Sequence, residues 1–165
     1  VLPDNGEPRV VGWREYVALP ELGVKAIKVK VDTGARTSAL HAFDVRYVRR
    51  RGKRFVRFKI HPHQRSARGE VDAIAPLLDV RRVRSSNGKT EKRPVIETDL
   101  EIDGVRWPIE LTLTNRDEMG FRMLLGRQAM RGHTMVDPGK SYQTRLSKRR
   151  QAAKRRARER RQARS

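Results

Sequence analysis

The sequence predicts an all-β fold, a small sandwich or barrel, and three observations carry that prediction. Apolar residues alternate with charged ones in several short runs, turn signals separate the runs, and helical character is confined to brief stretches. Ile27, Val29 and Val31 alternate with Lys28 and Lys30, the period of two expected of a strand with one buried and one wet face. Val56, Phe58 and Ile60 alternate in the same way with Arg57 and Lys59. Ile96, Thr98, Leu100 and Ile102 alternate with Glu97, Asp99 and Glu101, and after Asp103-Gly104 the pattern resumes through Trp107, Ile109, Leu111 and Leu113. Asp-Gly suits a type I′ turn, whose two central residues need positive φ, so this pair reads as a hairpin. Asn87-Gly88 gives a second such signal, between Val80 to Arg84 and Val95. The run Arg49 to Arg54 reads as a longer turn joining Val45 to Val48 with Phe55 to Ile60. The helical candidates are Arg127 to Met130 and Ala75 to Leu78.

At 165 residues the chain has room for about one domain. It contains no cysteine, which excludes a disulfide framework, a thiolate zinc site and a thiol nucleophile and fits a reducing, cytoplasmic setting. No apolar run approaches the length of a membrane span, and residues 1–10 lack the charged-then-apolar order of a signal peptide. The net charge is +20, unevenly spread. Leu146 to Ser165 hold ten Lys/Arg and one acid, a net +9, which leaves +11 for the rest. The chain therefore divides into an N-terminal arm (1–10), a body (11–145) and a basic tail (146–165) expected to be disordered when free, since it has no apolar stripe to bury. Such a tail is suited to contact with RNA, the ribosome or another polyanion. An aromatic share of 5% argues against a base-stacking surface.

The most informative stretch is Val29 to Leu40. An alternating strand delivers Asp32 at its end, followed by Thr33, then Gly34 and Ala35, which let the backbone turn tightly and a second chain approach closely. An aspartic protease needs this layout. Asp32-Thr33-Gly34-Ala35 resembles the catalytic signature of retropepsins, and Met123-Leu124-Leu125-Gly126-Arg127 resembles their second signature, about ninety residues on. With Gly12-Trp13-Arg14-Glu15, Ala18-Leu19-Pro20, Leu22-Gly23 and Arg36 to Ala42, the chain is similar from Val11 to Arg145 to a bacterial family labelled ATP-dependent zinc protease, associated with a glutamate ligase that modifies a ribosomal protein.

That resemblance implies a small closed acid-protease barrel with one short C-terminal helix, and an aspartic-type endopeptidase. Asp32, Thr33 and Gly34 would form the catalytic loop, and Gly34, Ala35, Arg36, Asn87 and Gly88 would bind a peptide substrate, acidic or glutamate-modified. Leu124 and Leu125, both expected in the core, would with Gly126 and Arg127 support the loop from behind, and Ser85 to Gly88 would fall at the flap. One Asp-Thr-Gly supplies one carboxylate where the chemistry needs two, so the partner must come from a second copy in a C2 homodimer. Retropepsins commonly follow the catalytic Ala with an acid that pairs with the Arg of Gly-Arg; here Arg36 stands in that place. The family's zinc label does not fit: the chain has four histidines, no His-Glu-x-x-His, no third ligand beside His61 and His63, and no P-loop. No metal and no cofactor are expected. Trp13 and Trp107 read as core or interface anchors and Asp137 as a turn residue. A reading from a different class is a non-catalytic basic module that binds RNA, the ribosome or another polyanion on a protease-like fold.

Overall fold

The computed structural model describes residues 6–63, 69–84, 87–115 and 120–165. Eleven strands form: β1 Arg9–Val11, β2 Arg14–Leu19, β3 Val24–Val31, β4 Ser38–His41, β5 Phe43–Arg50, β6 Lys53–Ile60, β7 Val71–Arg84, β8 Thr90–Ile102, β9 Val105–Thr114, β10 Met123–Leu125 and β11 Thr134–Val136. Among the described residues a single 3-10 turn at Pro20–Leu22 and two α-helices, α1 Arg127–Met130 and α2 Arg145–Arg164, complete the fold. The alternating residues read from the sequence lie on the buried side: Ile27, Val29, Val56, Phe58, Ile60, Ile96, Leu100, Leu111 and Leu113 share one core.

Six strands hydrogen-bond in the order β2-β3-β10-β4-β9-β8, and a β2–β8 pairing at Ala18 and Glu101 closes them into a barrel. Parallel pairs β3–β10 and β4–β9 make it mixed. From β8 the sheet continues outward through β7 and β6 to β5, a wing with β5 at its edge. Asp103 and Gly104 both have positive φ between Ile102 and Val105, the expected two-residue β8–β9 hairpin. Asp137 turns the chain as expected, accepting from the Gly139 N–H at 3.0 Å.

Four expectations are corrected. The Arg49 to Arg54 run is not a long turn: the ladder continues to Arg50 opposite Lys53, and the connection is Arg51-Gly52 alone, at φ +51° and +76°. Ala75 to Leu78 lie within β7, where Ala73 and Ala75 alternate onto the core and override a good helix former's preference. Leu124 is half-buried; only its neighbours Met123 and Leu125 turn fully inward. The tail, expected to be disordered, is the helix α2, so one short helix is not the whole helical content.

Polar anchors take the place of the missing apolar stripe. The Thr144 side chain caps α2, accepting from the Ser147 N–H, and its hydroxyl donates to the Tyr16 carbonyl at 3.0 Å. Ser147 Oγ accepts from the Tyr16 N–H and donates to Glu15 Oε1, both at 2.7 Å. Glu15 is 1% exposed. Its carboxylate also accepts from the N–H groups of Gly12, Gln143 and Thr144 at 2.6, 2.7 and 3.0 Å. Two turns further on, Lys154 Nζ donates to the Tyr16 hydroxyl at 3.0 Å and the Arg150 guanidinium lies over the Tyr16 ring. Burial of that ring raises the phenol, but the hydrogen bonds and charges of Lys154 and Arg150 outweigh it and hold the phenol below its ordinary 10.0.

Replacing Glu15 with Ala strips the acceptor from four donors at once, three of them backbone amides. The expected cost is roughly 3 kcal/mol in urea unfolding. A loss below about 1 kcal/mol would show that the buried carboxylate is not what joins β2 to α2.

Candidate active site

Asp32 sits where β3 ends, and the chain holds it there from two sides. The Val31 N–H donates to the Trp13 carbonyl at 2.8 Å and the Asp32 N–H to the Leu125 carbonyl at 2.9 Å. The second contact exists because β10 threads between β3 and β4, parallel to β3 with Leu125 beside Val31 and antiparallel to β4 with Met123 beside Leu40. The loop then folds on itself. Asp32 Oδ1 accepts from the Gly34 N–H at 2.9 Å and the Asp32 carbonyl from the Ala35 N–H at 3.2 Å, a side chain imitating a turn of backbone. Asp32 is half-buried, and Thr33 and Gly34 are exposed.

Gly126 and Arg127 close the loop from behind. A Cβ on Gly126 would overlap the Thr37 carbonyl and crowd the Ala35 carbonyl, so only a glycine lets these segments meet. The Gly126 N–H donates to Ser38 Oγ at 2.9 Å, the Arg127 N–H to the Ala35 carbonyl at 2.8 Å and the Gln128 N–H to the Arg36 carbonyl at 3.1 Å. Arg127 Nη1 reaches back to the carbonyls of Thr33 and Gly34 at 3.0 and 3.1 Å. With arginine rather than an acid at position 36, the guanidinium finds its acceptors on the loop's own backbone.

Arg36 is exposed and turns to a neighbouring cavity of about 420 Å³ that it lines with Ser38, Arg81, Glu110 and Gln128. Arg81 projects from β7 and pairs with Glu110 at 3.4 Å. The β7–β8 hairpin therefore meets the loop's surroundings through Arg81. Asn87 and Gly88 do not line this cavity; they form the hairpin turn, where Asn87 Oδ1 accepts from the Lys89 N–H at 3.2 Å and Gly88 has φ +82°. Ser85 and Ser86 lie outside the described residues.

Among the described residues no group of three His, Cys, Asp or Glu side chains is placed to hold a metal. His61 packs on Phe43 and lies 3.6 Å from Glu70. Trp107 is a core residue, its Nε1–H donating to the Ala129 carbonyl at 2.8 Å and its ring stacked on His133. Trp13 is 38% exposed, edge-on to Phe121. Sequence reasoning missed Ser38, Arg81 and Glu15. Glu15 was discoverable, because it falls in phase with buried Val17 and Leu19 along β2; Arg81 carried no signal, since only the folded hairpin brings β7 near position 36.

A model of the RimB-like family, described as retropepsin-like aspartic endopeptidase RimB, matches residues 10–147. The chain is 48% identical over 133 residues to proteins named "Probable alpha-L-glutamate ligase" from Shewanella pealeana and Shewanella halifaxensis, covering 81% of this chain and 29% of theirs. A protein of the same name from Desulfotalea psychrophila is 45% identical over 130 residues, 79% of this chain and 28% of its own. The chain thus spans under a third of the length of the curated relatives it matches. Its fold is similar to the crystal structure of a protein of unknown function from Legionella pneumophila, with a TM-score of 0.69 and 24% identity, covering 83% of this chain and 98% of that one. Among the described residues no helix is long and apolar enough to cross a membrane.

Gly126→Ala should be among the most damaging single-carbon additions in the protein, because backbone rather than a yielding side chain stands in the way. Insoluble expression or a loss of about 3 kcal/mol in unfolding is expected. A variant as stable as the parent would show that β10 does not press on the Asp32 loop.

Proposed function

Because the chain belongs to the RimB-like family of retropepsin-like aspartic endopeptidases, we propose that it hydrolyses peptide bonds with a water held between two Asp32 carboxylates, one from each copy of a C2 homodimer. The observation that carries this reading is the Asp32 loop itself, fixed by Leu125 behind and by Gly34 within, with Thr33 and Gly34 exposed.

Two carboxylates a few ångströms apart cannot both ionise cheaply, so the pair shares one proton. The ionised member takes a proton from the water, whose oxygen attacks the scissile carbonyl carbon. The protonated member donates to the carbonyl oxygen as it becomes a hydroxyl. In collapse of the tetrahedral species the carbonyl re-forms, the C–N bond breaks and the departing nitrogen takes up a proton. Thr33 would join the two loops across the axis through its hydroxyl. Gly34 would accept from the peptide backbone with the carbonyl lone pair that Arg127 leaves open, since a carbonyl has two.

Support for self-association comes from apolar side chains left exposed near the N-terminus and on β11. Trp13, whose carbonyl holds Val31, is 38% exposed, and Val10 and Met135, paired in register across β1 and β11, are 53% and 60% exposed. Val10 and Met135, side by side in the ladder, form an exposed apolar pair of the kind that interfaces cover. For the substrate, a domain closely similar to this chain occurs within proteins named as α-L-glutamate ligases, which favours a protein or peptide carrying added glutamate. Arg36 and Arg81 at the neighbouring cavity suit carboxylate side chains, and the net +11 of residues 1–145 would draw an acidic chain in over distance. The second reading, a basic binding module, draws on α2, whose distal half carries six arginines and one acid on exposed or half-exposed positions.

Asp32→Asn keeps the shape of the loop and removes the acid/base pair. Cleavage of a glutamate-extended peptide should fall by roughly 10³-fold or more with the melting temperature unchanged. Equal activity in both proteins would overturn the catalytic reading. Light scattering should find a dimer at the concentrations where cleavage is seen; full activity from a monomer would overturn the paired-carboxylate mechanism.

A further inference from the structure

The β5–β6 hairpin breaks the rules that make hairpins stable. Opposite residues of an antiparallel pair share a face with their Cβ atoms about 4.5–5.5 Å apart, and like charges so placed repel. Here Arg46 stands opposite Arg57, Arg49 opposite Arg54, and Arg50 opposite Lys53. The first position of the turn, where Asn, Asp or Gly accepts positive φ, is occupied by Arg51 at φ +51°. At the base of the wing, acids balance the cations: Asp44 lies 3.3 Å from Arg46, and Glu70 lies 3.2 Å from Lys59. Toward the tip, Arg49, Arg50, Arg51, Lys53, Arg54 and Arg57 form no ion pair with any described acid. Local choices that conflict with the fold and have no structural compensation concentrate where function requires them.

The arrangement also has a shape. Arg46, Arg50, Lys53 and Arg57 share one face of the ribbon with Val48 and Phe55, and Arg49 and Arg54 occupy the other with Tyr47 and Val56. Arg51 sits at the end. From Phe55 onward β6 is also paired with β7, so the free two-stranded end runs from Arg49 to Arg54; with cations on both of its faces and at its tip, that end fits between two rows of anions. An acidic polypeptide, by contrast, presents one row and would engage one face or the free edge of β5. The grooves of a nucleic-acid duplex are walled by two phosphate backbones, and the major groove of B-form DNA admits a two-stranded ribbon. Five of the six tip cations are arginines, whose planar forks bind phosphate oxygens in pairs.

We propose that the β5–β6 hairpin is a docking prong for a nucleic-acid duplex, gripping the phosphate backbones on either side of a groove without reading sequence. The site is separate from the Asp32 loop and does not depend on the peptidase reading. Double-stranded RNA and DNA offer the same phosphate chemistry, and their different groove widths separate them experimentally.

The test uses the full chain and two charge-matched variants. In one, Arg49, Arg50, Lys53, Arg54 and Arg57 are changed to Gln and Arg51→Asn; in the other, Arg155, Arg156, Arg158, Arg160, Arg161 and Arg164 of α2 are changed to Gln. Binding of fluorescent duplex RNA, duplex DNA of the same sequence, and poly-L-glutamate is measured from about 50 to 200 mM salt. The parent should bind one of the duplexes with a steep salt dependence. The hairpin variant should lose at least tenfold in affinity and about three or more in the log–log salt slope, while the α2 variant changes the slope by about one or less. Removal of facing like charges should leave the hairpin variant's melting temperature equal to the parent's or above it, which separates lost binding from lost fold. Tighter binding to RNA or to DNA identifies the source. Equal losses in the two variants would reduce the effect to net charge and overturn the proposal. Losses confined to the α2 variant, poly-L-glutamate competing as well as duplex at equal charge, or no duplex binding at the lowest salt would each overturn it too.

Discussion

A three-residue strand inserted between two others is the constraint on which the rest of this structure rests. β10 comes late in the chain, yet it lies between β3 and β4, parallel to one and antiparallel to the other. It completes the ring of six strands, since β3 and β4 do not pair with each other. It also supplies the Leu125 carbonyl that holds the Asp32 amide. The segment that closes the barrel is therefore the segment that positions the carboxylate. Gly126 is fixed by the same requirement, because the chain leaving β10 must pass against the carbonyls of Ala35 and Thr37. Arg127 then turns back to bind the Thr33 and Gly34 carbonyls, giving the loop a support made of backbone acceptors.

A second point of attachment lies at Glu15. Its buried carboxylate collects donors from both sides of a long sequence separation, from Gly12 at the start of the barrel and from Gln143 to Ser147 at its end. Breaking such a group's hydrogen bonds costs far more than the net gain from forming them, because the charge stays buried. The arrangement explains how a helix whose one large apolar residue is Leu146 can still be seated: its first turn is held by Thr144 and Ser147, and Tyr16 receives Arg150 and Lys154 two turns later. Beyond that point the helix projects charge in every direction.

Much of the barrel was legible in the sequence because its strands obey one simple rule. Where Ile27, Val29 and Val31 or Ile109, Leu111 and Leu113 alternate with polar residues, the period of two admits little else. Asp103-Gly104 was readable for the same reason, as its turn demands positive φ from both residues. The Asp32 loop and its second signature could be recognised as a pair, and α1 falls on the four residues expected of it. What was not legible depends on distant partners. The Arg-rich run looked like a loop because charged residues rarely face one another across a ladder, and nothing local reveals that β6 pairs with β5 as far as the turn. The tail looked disordered because helix stability is usually sought in an apolar stripe, whereas here it begins in a carboxylate more than a hundred residues earlier. Arg81 is brought to the Arg36 cavity solely by the register of the β7–β8 hairpin.

In the proposed mechanism the reaction needs an Asp32 from each of two chains. Mixing the parent with growing amounts of Asp32→Asn protein, under conditions where subunits exchange, and measuring peptide cleavage at constant total protein tests this directly. If the two carboxylates act across a dimer axis, heterodimers are inactive and activity falls as the square of the parent's fraction. A fall in simple proportion to that fraction would show that each chain works alone and would contradict the shared site.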